Sequence, residues 1–314
     1  MAYINSRLAP LISAEISKKG LPSDFASTIA DYYLPLASEI ASTAGQISTD
    51  IKSTLLVGVL GSQGSGKSTL ADFLKLILEQ QFNTSTVVMS LDDFYLTREQ
   101  RRKLSIDIHP LLTTRGVPGT HDIELLNNTI DQLKNFDGST PVPVPMFEKA
   151  NDDRAPFKHW QNISTKPKVI ILEGWCVGIR PQLEAELQIA VNDLERSMDE
   201  GAHWRRFANQ ELAGSYAAVF KQLDKLIALV APNFDCVHQW RSLQEAKLRA
   251  KLERAGKSTA ATMSNEQIRF FVAHYQRITE HALTSLPSYA DWCLSIDETH
   301  KITGLTRSAI VEQK

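Results

Sequence analysis

A chain of 314 residues with 43% hydrophobic and 22% charged residues has the composition of a globular protein with a sizeable core. A formal net charge of −2 gives no electrostatic case for nucleic acid or an anionic membrane as the main partner. Cys176, Cys236 and Cys293 are isolated and odd in number, which argues against a disulfide framework or a zinc site and fits a reducing cytosol. No signal peptide is readable between Met1 and Gly20, and no apolar run approaches the roughly 18 residues of a membrane helix. The expected location is cytoplasmic. The expected organisation is an N-terminal helical extension over 1–50 and a main domain over 51–314.

Residues 1–50 read as helical. Phe25, Ile29, Tyr32, Tyr33, Leu36 and Ile40 recur at helical spacing, with a break expected at Pro35, and Ser42-Thr43-Ala44-Gly45 reads as a turn. The apolar run Leu55 to Leu60 predicts a buried strand. It leads into Gly61-Ser62-Gln63-Gly64-Ser65-Gly66-Lys67-Ser68, and a helix follows from Thr69. The glycines let the backbone wrap a phosphate with its N–H groups turned inward, and the helix adds the partial positive charge of its N-terminus. In this G-x-x-x-x-G-K-S pattern Lys67 reaches the β- and γ-phosphates, and Ser68 holds Mg²⁺ through its hydroxyl. Gly61 to Thr69 are therefore the expected nucleotide site, with ATP and Mg²⁺ as cofactors.

Thr86 to Leu91 is a short β-branched run that reads as a buried strand and delivers Asp92-Asp93 at its carboxyl end, where open α/β sheets bind ligands. A charged helix from Thr97 and the punctuated loop from His109 to Asp122 follow. In that loop Arg115 can hold an anion in a bidentate way and His109 and His121 give polar reach, with a purely structural loop as the alternative. Ile123, Leu126, Ile130 and Leu133 form a helical stripe. Asp137 to Lys149 is a Pro-broken extended segment that cannot be a central strand, and Lys149, Asp152, Asp153 and Arg154 cluster after it as a site or as a solvated loop.

Lys168 to Leu172 is the third strand. It ends in Glu173, at the position of the second Mg²⁺-side acid of P-loop proteins. Gln182 to Val230 reads as helical with turns, and Phe234 to His238 as a fourth strand. Arg241 and Arg249 share a face of the next helix and can address one ligand, a solvated basic helix being the alternative. Gly256 to Thr262 is a loop. Ser264 with Gln267 makes a capping box for the helix carrying Ile268, Phe271, Val272, Tyr275 and Ile278, and Trp292 to Ile296 closes the sheet.

Taken together, GSQGSGKST, SLDDFYLT, HPLLTTRGVPGTHD, ILEGW and QWRSLQEAKLR resemble the D-glycerate 3-kinase family, P-loop kinases related to phosphoribulokinase, uridine kinase and bacterial pantothenate kinase. FEKANDDR fits as well, with Glu148 where relatives usually carry Asp. The resemblance covers nearly all the chain after residue 50. It implies an α/β fold with a P-loop NTPase-type parallel sheet flanked by helices, the N-terminal helical extension, and a helical lid over about 239–262. It also implies Mg·ATP-dependent phosphorylation of a hydroxyl on a small hydroxy acid, D-glycerate giving 3-phosphoglycerate. Asp92 is then the base, Asp93 assists metal or substrate, and Glu173 orders the metal's water shell. Arg115 and His121 are candidates for the substrate carboxylate, with Asp122, Lys149 and Arg241 also on the acceptor side, and Arg249 joins Arg241 in the lid. Two other readings stay open. One is a different alcohol acceptor, such as a nucleoside stacked on Phe94, Tyr95 or Trp175; the other is a nucleotide-dependent switch without an acceptor.

Overall fold

The computed structural model describes residues 4–47, 54–256, 258–259 and 262–308. The expected boundary near residue 50 lies outside the described residues, as do positions 257, 260 and 261 of the expected loop.

Six strands form one sheet: β1 (Leu55–Gly61), β2 (Thr86–Ser90), β3 (Val169–Gly174), β4 (Lys225–Val230), β5 (Trp292–Ile296) and β6 (Ile302–Arg307). Their order across the sheet is β6-β5-β4-β1-β3-β2. Pairing is parallel from β2 to β5, and β6 is antiparallel on the edge. β1 and β3 are buried on both faces, which is why their sequences are continuous apolar runs rather than alternating ones. Leu55, Val57 and Val59 face one core with the N-terminal helices and helix α3 (Lys67–Phe82). Leu56 and Leu60 face the other, with α5 (Ile123–Lys134) and α8 (Asn265–Ser285). The chain is a three-layer α/β fold, as expected.

Several local expectations are corrected. Pro35 does not break the N-terminal helix. The chain is helical from Phe25 to Ile47, and Ile29–Tyr33 is a widened turn in which the Leu34 N–H reaches the Ile29 carbonyl. A widened turn next to proline relieves the ring's clash with the preceding carbonyls. Ser42 to Gly45 lies inside the same helix, α2 (Leu34–Ile47), which follows α1 (Leu8–Lys18).

The fourth strand is Lys225–Val230, not Phe234–His238. Residues Phe234–Arg254 form one helix, α7, capped by the Asn233 side chain on the Cys236 N–H. Asp224 marks the strand's entry by accepting the Leu56 N–H at 2.7 Å. Trp292–Ile296 does not close the sheet, because the more polar β6 pairs outside it. Two small ribbons, Val142–Val144 with Gln161–Ile163 and Phe147–Glu148 with Asp153–Arg154, stand apart from the main sheet. The charged helix after β2 is α4 (Arg98–Asp107), with a Thr97–Gln100 capping box, and α6 (His203–Glu211) lies in the connection to β4. Among the described residues no helix is long and apolar enough to cross a membrane, and all three cysteines are free and buried.

Candidate active site

The sheet brings the carboxyl ends of β1, β2 and β3 side by side. The loop after β1 bends through Gly64 and Gly66, whose φ angles of +81° and +93° are open to glycine and strained for other residues. Gly66 is the N-cap of α3 and no side chain caps that helix, so its first N–H groups are left for an external acceptor. Inside the loop Ser62 Oγ, Ser65 Oγ and Gln63 Oε1 are buried without a partner. A Cβ at Gly61 would lie 2.4 Å from Ser65 Oγ, so only glycine lets the loop turn this tightly. Uncapped amides and orphaned buried polar atoms in one loop fit a polyphosphate.

Ser68 Oγ donates to Glu173 Oε1 at 2.9 Å, and Glu173 Oε2 is buried with no partner. This all-oxygen donor set suits a hard cation such as Mg²⁺. Among the described residues no group of three His, Cys, Asp or Glu side chains forms a metal cage. A divalent ion held by Ser68 and Glu173 would therefore take its remaining ligands from phosphate and water.

Asp92 and Asp93 sit on the short turn Leu91–Phe94 that ends β2. Asp92 Oδ1 accepts the Tyr95 hydroxyl at 3.0 Å, and Asp92 Oδ2 pairs with Lys149 Nζ at 2.7 Å. Burial pushes the Asp92 carboxyl up, but the charges of Lys149 and Lys67 outweigh it and hold it at about 2. The charge of Lys67 in the phosphate loop thus helps to keep Asp92 ionised. Asp93 is different. Burial raises it to about 6 despite the Phe147 N–H bonded to its Oδ1 at 3.0 Å, with Asp92 and Glu173 adding to the rise. Adjacent carboxylates with separated proton affinities are a feature of acid–base sites.

The remaining expected residues divide. His121 stacks on Tyr95, with ring centroids 4.4 Å apart, and its Nδ1 lies 2.6 Å from the Tyr216 hydroxyl. That hydroxyl also accepts the Gly119 N–H at 3.0 Å. Nε2 is buried without a partner. Burial holds His121 at about 3, so the ring is neutral and brings no charge to the site. Arg115 pairs with Asp152 and lies over the Phe147 ring, 5.5 Å from its centroid. Asp122 is taken up structurally: it caps α5 through the Leu125 N–H and pairs with Arg154 at 3.0 Å.

Arg241 and Arg249 are not brought onto one partner. Arg241 pairs with Glu245 at 2.7 Å and lies over Phe271, while Arg249 bonds the Thr262 hydroxyl and the Met263 carbonyl. Phe94, Tyr95 and Trp175 are all buried; Tyr95 is engaged by Asp92 and His121, and Trp175 donates to the Gly116 carbonyl at 2.9 Å. Tyr216 was missed in the sequence, where it falls in the stretch Gln182 to Val230 that reads as helical with turns. So was Arg101, nearly fully buried and bonded to the Leu96, Thr113 and Asp152 carbonyls, which reads in the sequence as one more charge on a solvated helix.

With this geometry in view, the comparisons with known proteins are specific. The profile of the Phosphoribulokinase / Uridine kinase family matches residues 56–191. The uncharacterized kinase mug58 of Schizosaccharomyces pombe is 34% identical over 228 residues, spanning 70% of this chain and 78% of that protein. The chain belongs to the phosphoribulokinase/uridine kinase family. A second relative, the probable ATP-dependent kinase TDA10 of Saccharomyces cerevisiae, is 30% identical over 296 residues, 89% of this chain and 94% of that one. The solved structure of D-glycerate 3-kinase from Cryptococcus neoformans superposes with a TM-score of 0.71 at 25% identity, covering 88% of this chain and 98% of that one. As a phosphoribulokinase/uridine kinase relative the chain is a P-loop phosphotransferase that uses ATP.

Proposed function

We propose that the chain phosphorylates a hydroxyl of a small hydroxy acid with Mg·ATP, and that the acceptor is D-glycerate and the product 3-phosphoglycerate. The observation that carries this reading is Asp92: an ionised carboxylate at the end of β2, under the field of the phosphate-loop Lys67 and paired with Lys149. Phosphoryl transfer asks the protein for positioning and for charge neutralisation. Lys67 and the loop amides hold the β- and γ-phosphates, and Ser68 with Glu173 holds Mg²⁺, which supplies charge neutralisation at the phosphates. The acceptor oxygen bonds to the γ-phosphorus as the bond from that phosphorus to the β–γ bridging oxygen breaks. The acceptor proton passes to Asp92, and ADP leaves.

The exposed Lys149 ammonium beside Asp92 favours an anionic acceptor. A nucleoside acceptor is disfavoured because Phe94, Tyr95 and Trp175 are committed to packing and hydrogen bonds. The similarity to the Cryptococcus neoformans D-glycerate 3-kinase supports the same acceptor. The test is an ADP-coupled assay across glycerate, pantothenate, uridine and sugar alcohols, with 2- and 3-phosphoglycerate distinguished by NMR. Phosphorylation of uridine but not glycerate would overturn the proposal.

A further inference from the structure

The ribbon Phe147–Glu148/Asp153–Arg154 is tied down from several sides. The Phe147 N–H binds Asp93, Asp153 accepts the Arg98 N–H, Arg154 pairs with Asp122, and Asp152 in the turn is held by Arg101 and Arg115. The turn thus has a set position, and from it Lys149 reaches Asp92. The lysine side chain is 62% exposed, and Asp92 is its one ion-pair partner among the described residues. An ammonium carries three donors, so two remain for a ligand. Asp92 is covered on both oxygens, by the Tyr95 hydroxyl on Oδ1 and by Lys149 on Oδ2. Tyr95 is buried and stacked on His121, whereas Lys149 is exposed on a flexible stem. Of the two covers, Lys149 is the one that can move.

Building on the hydroxy-acid reading above, we infer that Lys149 selects acceptors by charge: its ammonium shifts from Asp92 toward a carboxylate carried beside the reacting hydroxyl, binding the anion and uncovering the base in one displacement. Without that cation an incoming carboxylate faces the like charge of Asp92. A neutral alcohol gives the lysine nothing to move to, and it meets a carboxylate whose two oxygens are already engaged. Discrimination therefore comes as much from relieving a repulsion for one acceptor class as from adding an attraction.

The test compares D-glycerate with its uncharged amide, glyceramide, in the ADP-coupled assay, using wild type, Lys149→Ala and Lys149→Arg. Wild type should prefer glycerate by roughly tenfold or more in kcat/KM. Lys149→Ala should shrink that preference to about twofold, with the loss on glycerate falling in KM rather than kcat, and Lys149→Arg should restore part of it. Equal losses on both acceptors with the preference kept would overturn the inference, and ATP-protected melting shows that each variant is folded. If wild type ignores glycerate but phosphorylates another acid in the panel, the D-glycerate assignment fails, and that acid with its amide decides the role of Lys149. If wild type prefers neutral acceptors, both readings fail.

Discussion

The Cβ of Trp240 lies 2.7 Å from where a Cβ at Gly64 would stand. Helix α7 and the phosphate loop therefore meet at a residue with no side chain. Trp240 is itself fixed, donating from Nε1 to the Glu298 carbonyl at 2.9 Å and leaning on the His300 ring. Gly64→Ala would put a side chain into this contact at a φ of +81°. The expected outcome is a stability loss of about 1–2 kcal/mol from the left-handed backbone alone. ATP affinity should fall roughly tenfold as the loop shifts. Denaturant unfolding and calorimetric ATP titration measure the two separately.

Asp92→Asn keeps the shape of the side chain and removes its charge and basicity. Turnover should drop by roughly 10²–10⁴-fold while ATP binding persists. Near wild-type turnover in this variant would remove Asp92 from the base role, and Lys67→Ala should abolish transfer.

His121 makes stability depend on pH. Burial lowers its folded value to about 3, so below the ordinary value near 6.5 the unfolded chain takes a proton that the folded chain refuses. The stability is present above pH 6.5 and is lost as pH falls toward 3. The slope is about 1.4 kcal/mol per unit, or about 2 kcal/mol between pH 6.5 and 5. Asp93, raised to about 6, works in the opposite sense over part of this range. The informative quantity is therefore the difference between wild type and His121→Gln in urea unfolding at pH 7 and pH 5. The variant should lose less on acidification by about 2 kcal/mol.

Glu195 is buried and accepts two bonds from Arg277, at 2.7 and 2.6 Å, with Arg205 at 4.0 Å. It ties α8 to the connection between β3 and β4. Glu195→Gln leaves Arg277 buried without its counter-charge, and a loss of about 3–5 kcal/mol is expected in urea unfolding.

The nucleotide half of this fold was legible because its signals are local. The turn geometry of Gly61 to Ser68 is written in consecutive residues, and the strands on either side are uninterrupted apolar runs. Lys225–Val230 was not legible as a strand because Leu223, Leu226 and Ile227 extend a helical stripe, and a short apolar run serves either structure until its neighbours are known. Phe234 to His238 misled in the reverse direction, although Asn233 followed by Asp235 is a helix-start signal. On the acceptor side the resemblance offered Arg115 and His121 for the substrate carboxylate, with Asp122, Lys149 and Arg241 beside them. Pairing separates them: Asp122 is spent on a cap and on Arg154, Arg115 on Asp152, and His121 is neutral. Which charge finds which partner depends on contacts such as Lys149 with Asp92, 57 residues apart, and no local pattern encodes those.

Among the described residues the two small ribbons share no strand pairing with the six-stranded sheet. The phosphate loop is built into the sheet and its helix, whereas Lys149 hangs from a separate stretch of chain. Its ties to the sheet run through single contacts, the Phe147 N–H on Asp93 and Lys149 on Asp92, rather than through a strand ladder. On the proposal that Lys149 selects the acceptor, this ribbon is where a protein engineer would alter acceptor choice without entering the sheet.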